Sequence, residues 1–182
     1  MNRKIVVLNG SPRRNGNTSA LIESFTKGAE EAGNSVTAFF LHGMDIHPCL
    51  GCYGGGKDPD SPCVQKDAMD TIYPAFRDAD VVVLASPLYF WNISGQLKCA
   101  VDRLFAVAEG MPNYQMPAKE CALLMAAESN EYEETVYYYT RLIDHLGWKD
   151  IGQVLAPGVL AAGDIKGKPA LEDARKLGAS IK

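Results

Sequence analysis

The run Asn-Gly-Ser-Pro-Arg-Arg-Asn-Gly-Asn-Thr-Ser, residues 9–19, concentrates groups that bind an anion. Its glycines let backbone N–H groups converge on a small ligand, and a helix start behind them adds about half a positive charge. Ser11, Asn17, Thr18 and Ser19 offer side-chain donors, and Arg13 and Arg14 offer guanidinium groups. The spacing excludes two common nucleotide sites. A triphosphate loop requires Gly-x-x-x-x-Gly-Lys-Ser/Thr, but five residues separate Gly10 from Gly16 and Asn17 stands in the lysine position. The dinucleotide fingerprint G-x-G-x-x-G is also missing from this turn. Mostly neutral donors suit a monophosphate ester held at one point. The alternative is a Ser/Asn-rich turn that only caps the helix.

A second stretch, Pro-Leu-Tyr-Phe-Trp-Asn-Ile-Ser-Gly, covers residues 87–95. Proline fixes its own φ and holds Ser86 extended, which makes a stiff turn. Tyr89, Phe90 and Trp91 supply flat apolar walls, and the backbone between them supplies hydrogen bonds. A planar heteroaromatic ring fits such a surface. The same aromatics could instead pack against a helix or a second subunit.

A third stretch, His-Pro-Cys-Leu-Gly-Cys-Tyr-Gly-Gly-Gly at 47–56 followed by Cys63, looks like the start of a metal or cluster site. Four-thiolate ligation is incomplete, because Gly54, Gly55 and Gly56 occupy the region where another cysteine would fall. Cys99 and Cys121 belong to an expected helix and a buried strand. His47 could complete a Cys₃His zinc site. Ligand counting favours no metal, with the loop forming part of the ring-site rim or a dimer contact; zinc, a cluster and a redox disulfide are the alternatives.

The elements that must position these stretches follow from periodicity. Ile5 to Leu8 is an apolar run that suits a strand buried on both faces. Leu21, Phe25, Ala29 and Ala32 recur at helical spacing, and Ser35 to Leu41 reads as a second strand. His42 to Pro62 has no periodicity, and a loop of about twenty residues inside a compact domain is usually functional. Gln65 to Ala79 is helical, with Pro74 inside it as a kink. Asp80 to Ser86 is a third strand, and its apolar character makes it central. A helix from Ser94 carries Leu97, Val101, Leu104, Phe105 and Ala108 on one stripe. Cys121 to Ala127 is a strand, Glu131 to Leu146 a helix, Trp148 to Leu155 contains a fifth strand, and Pro169 opens a last helix. Alternating strands and helices imply a parallel α/β sheet covered on both faces. Ligands of such sheets bind beyond the carboxyl ends of the strands. Residues 9–19, 87–92 and 127–130 all leave those ends, and a phosphate site beside a planar-ring site there suggests flavin mononucleotide.

The Gly10–Ser19 and Ser86–Phe90 runs, followed by Gly95-Gln-Leu-Lys98 and Asp102-Arg103, resemble the NADPH-dependent FMN reductase family of flavodoxin-like proteins. The resemblance spans nearly the whole chain. It implies a flavodoxin-like three-layer α/β sandwich with a five-stranded parallel sheet in the order 2-1-3-4-5. It implies FMN, its phosphate on Ser11, Arg13, Asn17, Thr18 and Ser19 and its ring beside Pro87, Leu88, Tyr89, Phe90 and Trp91. It also implies NADPH or NADH as co-substrate, with hydride passing to FMN and then to a quinone, nitroaromatic, flavin or similar small acceptor. Members are commonly homodimers with the flavin near the subunit boundary. The cofactor carries the chemistry, so no catalytic acid or base is assigned. The related iron–sulfur flavoproteins carry four cysteines in the third stretch, and an electron-transfer flavoprotein serving a protein partner is the alternative function. Arg14 has two readings, a contact to nicotinamide nucleotide phosphates or a solvated charge. Asp102 and Arg103 read as a structural ion pair or interface contact.

The totals agree with this. A chain of 182 residues suits one domain spanning 1–182, with the inserted Cys/Gly-rich loop at about 42–64. A net charge of −4 gives nucleic-acid binding no electrostatic support. No apolar run is long enough to span a membrane, and the run behind the charged Met1-Asn-Arg-Lys start is too short to read as a signal peptide. Five cysteines without a secretion signal point to a reducing cytoplasm.

Overall fold

The computed structural model describes residues 2–182. Strands β1 (Lys4–Asn9), β2 (Ser35–Phe40), β3 (Val81–Pro87), β4 (Glu120–Ala126) and β5 (Lys149–Ala156) form one parallel sheet. Its order is β2-β1-β3-β4-β5, as expected. The three inner strands are apolar on both faces because both are covered. Val6, Leu8, Val82, Leu84, Leu123 and Met125 pack to one side, and Ile5, Val7, Val81, Val83 and Leu124 to the other.

Helices α1 (Asn17–Glu31) and α6 (Pro169–Ala179) cover the second of these faces. They approach until glycine is required: a Cβ on Gly28 would run into the carbonyl oxygen of Arg175, and one on Gly178 into that of Phe25. Helices α2 (Met69–Asp78), α3 (Gly95–Arg103) and α5 (Glu133–Leu146) cover the other face with Tyr73, Phe76, Leu97, Tyr139 and Ile143.

Two elements depart from the expected boundaries. Helix α2 starts at Met69, later than Gln65, because the Asp67 carboxylate takes the Met69 N–H at 3.0 Å and ends the loop there. Pro74 stays within it. The helix expected to run from Ser94 through Ala108 breaks at Leu104, and α4 (Phe105–Glu109) follows. The cause is a competing donor. The Tyr73 hydroxyl donates to the Arg103 carbonyl at 3.1 Å, and Val107 N–H turns to Leu104 O at 2.9 Å.

Candidate functional site

Beyond the carboxyl ends of β1, β3 and β4, the first two stretches meet. Ser11, Arg13, Asn17 and Thr18 share one cavity of about 180 Å³ with Pro87, Leu88 and Tyr89. Ser19, Phe90 and Trp91 lie outside its lining. The two turns are joined directly. The Ser94 hydroxyl donates to the Gly10 carbonyl at 2.7 Å, Ser94 N–H donates to Ser86 Oγ at 2.8 Å, and Gly10 N–H donates to Ala85 O at 2.8 Å.

The start of α1 is open to an anion. Gly16 stands at its N-cap without a side-chain hydrogen bond, and its first turn carries no acidic residue. The N–H groups of its first turn therefore bring an uncompensated positive dipole end to the cavity wall, where Arg13 stands beside it. Several polar side chains of the first stretch serve the chain itself. The Asn17 amide donates to Ala161 O at 2.9 Å, and its carbonyl oxygen accepts from Gly163 N–H at 3.1 Å. The Ser19 hydroxyl donates to Arg13 O at 3.2 Å. Ser11 Oγ accepts from Arg13 N–H at 3.2 Å. Arg13 Nη1 donates to Leu160 O at 2.8 Å, and the Arg14 guanidinium lies 4.3 Å above the Phe40 ring.

Those contacts reveal residues that periodicity missed. Val159 and Leu160 close the cavity from the segment after β5, held there by Asn17 and Arg13. Glu128, from the expected segment 127–130, lines the cavity with them, its carbonyl accepting from Gly158 N–H at 3.0 Å. The available signal was topological: this segment leaves the same sheet end as the other two turns.

The aromatic loop is a tight two-residue hairpin. Tyr89 and Asn92 exchange backbone hydrogen bonds of 2.9 and 3.1 Å, and Phe90 and Trp91 between them have φ of 46° and 57°. Both angles belong to a type I′ turn, which normally takes Asn-Gly. Trp91 is pinned on α5: its indole N–H donates to Glu131 at 3.1 Å, and its carbonyl accepts from the Thr135 hydroxyl at 2.7 Å. Phe90 is 95% exposed. Leu88 N–H and Tyr89 N–H are both bonded within the chain.

The cysteine loop runs without regular structure from the 3-10 turn Leu41–Gly43 to α2. Its anchor is Arg103, which is buried and pairs with Asp67 at 2.6 Å rather than with Asp102; Asp102 pairs with Lys98 at 2.6 Å. Arg103 also donates to the carbonyls of His47 at 2.9 Å and Gln65 at 3.3 Å, so one guanidinium ties both ends of the loop. Burial acts to raise the Asp67 carboxyl, but the Arg103 hydrogen bond and the N–H groups of His47 and Met69 outweigh it and hold its pKa below 3.8. The His47 ring lies beside Asp45 and Asp67, at 3.6 and 3.4 Å. Cys121 is fully buried in β4, where burial pushes its thiol up to about 12.

A parallel sheet in this order, with its ligand-binding turns gathered at the carboxyl ends of the strands, defines the flavodoxin-like class. The family model described as NADPH-dependent FMN reductase matches residues 3–160. The chain belongs to that family, and is an FMN-containing, NAD(P)H-dependent oxidoreductase. An iron-sulfur flavoprotein of Archaeoglobus fulgidus is 30% identical over 182 residues, covering 98% of this chain and 78% of that protein. An iron-sulfur flavoprotein of Methanocaldococcus jannaschii is 29% identical over 194 residues, covering 98% and 95%. The solved NAD(P)H:quinone oxidoreductase from Methanothermobacter marburgensis superposes with a TM-score of 0.74 over 100% of each chain, at 18% identity, and so shares the fold. Among the described residues, no helix is long and apolar enough to cross a membrane.

Proposed function

We propose that FMN occupies the cavity between the first two stretches and that electrons leave it for a small planar acceptor such as a quinone, nitroaromatic or free flavin. The observation that carries this reading is the joint lining of one cavity by Ser11, Arg13, Asn17 and Thr18 with Pro87, Leu88 and Tyr89. The uncapped start of α1, Ser11, Thr18 and Arg13 would hold the phosphate. Asn17 and Ser19 act mainly by shaping the turn, through Ala161 and Arg13. Pro87 to Tyr89 would bound the ring, and Tyr89, Phe90 and Trp91 would form the rim an apolar acceptor crosses. When bound, FMN supplies the two-electron chemistry. The chain's task is to hold the ring, exclude water from its buried face and leave one face open to the nicotinamide.

The lining supports this reading: Arg13, Ser11, Thr18 and the start of α1 supply donors for a phosphate, and Pro87 and Leu88 supply apolar surface for a ring. We also expect a homodimer in which a second copy covers exposed aromatic side chains, and a reducing cytoplasmic setting for its free thiols.

An absorbance spectrum of the purified protein, with anaerobic addition of NADPH, tests the assignment. Flavin bands that bleach rapidly and return on adding a quinone are the expected result. A colourless protein that takes up no FMN on dialysis overturns it. Bleaching only in the presence of a separate reductase would favour the electron-carrier function instead.

A further inference from the structure

The third stretch builds a second cavity that the flavin reading leaves unused. Cys49, Cys52 and Cys63 line it together with Arg103, Phe105 and Glu109, and its volume is about 210 Å³. Among the described residues, no three His, Cys, Asp or Glu side chains are grouped to hold a metal ion. The three thiols differ in what surrounds each of them.

Cys63 is half-buried, and its sulfur stands close to the Tyr73 hydroxyl and to the Arg103 guanidinium. Arg103 is 1% exposed and lines the cavity, and its Nε–H is buried without an acceptor. Its two terminal nitrogens are already engaged by Asp67 and by the carbonyls of His47 and Gln65. A buried donor left unpaired is costly, so this one marks a place where an oxygen acceptor would be held. Partly exposed thiols beside a cation are the ones that react with oxidants, because the thiolate is the nucleophile and positive charge favours it.

Cys49 and Cys52 are both exposed but are placed differently. Cys49 Sγ accepts the Gly51 N–H at 3.5 Å, within its own turn. Cys52 faces the limb of the loop that carries Cys63. A methyl group on Gly54 would lie 3.6 Å from Cys52 Sγ and 3.0 Å from Cγ1 of Val64, the residue after Cys63. Two hydrogen bonds pin the intervening limb: Gly56 N–H donates to Pro62 O at 2.9 Å, and Gly55 N–H donates to Glu109 Oε2 at 3.1 Å. A disulfide needs its two Cα atoms within about 7 Å. Cys52 and Cys63 both lie outside helices and strands, so no regular element resists that approach.

We propose that Cys63 is a peroxide-reactive thiol and that Cys52 converts its oxidised form into a reversible Cys52–Cys63 disulfide across the loop. In the first step the Cys63 sulfur attacks one oxygen of hydrogen peroxide. An S–O bond forms, the O–O bond breaks, and the thiol proton leaves with the departing oxygen as water. The sulfenic oxygen supplies the acceptor that the Arg103 Nε–H lacks. In the second step the Cys52 sulfur attacks Cys63: an S–S bond forms, the S–O bond breaks, and the Cys52 proton leaves with the hydroxyl as a second water. The two electrons lost by the thiol pair are those taken up by the peroxide. Two equivalents of a small thiol return both residues to the reduced state by exchange. The chemistry is independent of the flavin site.

The test treats the reduced full chain with stoichiometric hydrogen peroxide, alkylates the remaining thiols and maps the tryptic peptides by mass. Cleavage after Lys57 and Lys66 leaves Cys49 and Cys52 on one peptide and Cys63 on another. A bond across the loop therefore links two peptides, whereas a Cys49–Cys52 bond stays within one. The linked pair should appear in wild type and in Cys49→Ser, and disappear on adding a small thiol. It should be absent from Cys52→Ser, where Cys63 should instead carry a sulfenic acid trapped by dimedone. Cys99, half-buried on α3, is the internal control and should oxidise at least about tenfold more slowly than Cys63. Circular dichroism checks that the variants fold; where one does not, the linked pair and the Cys63-to-Cys99 rate ratio in wild type decide. A bond between Cys49 and Cys52, a link that Cys49→Ser abolishes, or equal oxidation of Cys63 and Cys99 overturns the proposal. Iron or zinc that copurifies and shields Cys63 from peroxide overturns it as well. None of these readouts uses FMN, so loss of the flavin assignment would leave the result standing.

Discussion

The hydroxyl of Ser94 and the carbonyl of Gly10 are joined by a 2.7 Å hydrogen bond between residues 84 positions apart. Ser94 is fully buried and also caps α3, accepting the Leu97 N–H at 3.3 Å. One side chain thus fixes the height of the first turn against the second, where the candidate phosphate and ring sites must face each other. Ser94→Ala removes a helix cap and leaves the Gly10 carbonyl unpaired. The expected loss is about 1–3 kcal/mol in urea unfolding, with weaker FMN retention on dialysis.

The Arg103–Asp67 pair makes a different prediction, because both side chains are out of water. Removing one partner of a buried pair leaves the other charge uncompensated, at a cost of about 3–5 kcal/mol. Asp67→Asn should show that loss, and Asp67→Leu combined with Arg103→Met should recover part of it. The pair also fixes an acid limb. The folded Asp67 pKa lies below its ordinary 3.8, so its stabilisation is fully present above 3.8 and fades as pH falls through the folded value. Wild type should lose stability more steeply than Asp67→Asn below that pH, measured by denaturant midpoints across pH.

The crossing of α1 and α6 predicts a substitution whose sign opposes helix propensity. Alanine in a helix interior normally gains about 1 kcal/mol over glycine. At Gly178 the new methyl would meet the Phe25 carbonyl and lie 2.8 Å from Ala29 N, and backbone cannot move aside cheaply. Overpacking costs of about 1–3 kcal/mol should dominate. Gly178→Ala is expected to lower the melting temperature; an unchanged or raised value would show that the helices separate freely.

The Phe90–Trp91 turn holds two non-glycine residues at positive φ, each costing about 1–2 kcal/mol. Phe90 has almost no packing to lose. Phe90→Asn suits the first central position of this turn and should stabilise the chain by about 0.5–1 kcal/mol. If the exposed ring meets the acceptor, the same variant should raise KM for apolar acceptors while NADPH-driven flavin bleaching is unaffected. Unchanged KM would assign Phe90 to another contact, such as a partner subunit.

Local sequence determined the alternation of elements, the sheet order through its family resemblance, and the three stretches where chemistry concentrates. It could do so because an apolar strand or an amphipathic helix repeats its signal over adjacent residues, and because turn chemistry is written in Gly, Pro, Ser and Asn. What tertiary structure decided lies in single contacts between distant residues. Glu109 reaches Gly55 across 54 positions, Arg103 chooses Asp67 across 36 over its neighbour Asp102, and Asn17 turns to Ala161 across 144. None of these residues sits in a pattern that marks its partner. A lone charged or amide group carries no periodicity, and its role is fixed only when the packed helices and sheet leave it one place to satisfy its hydrogen bonds.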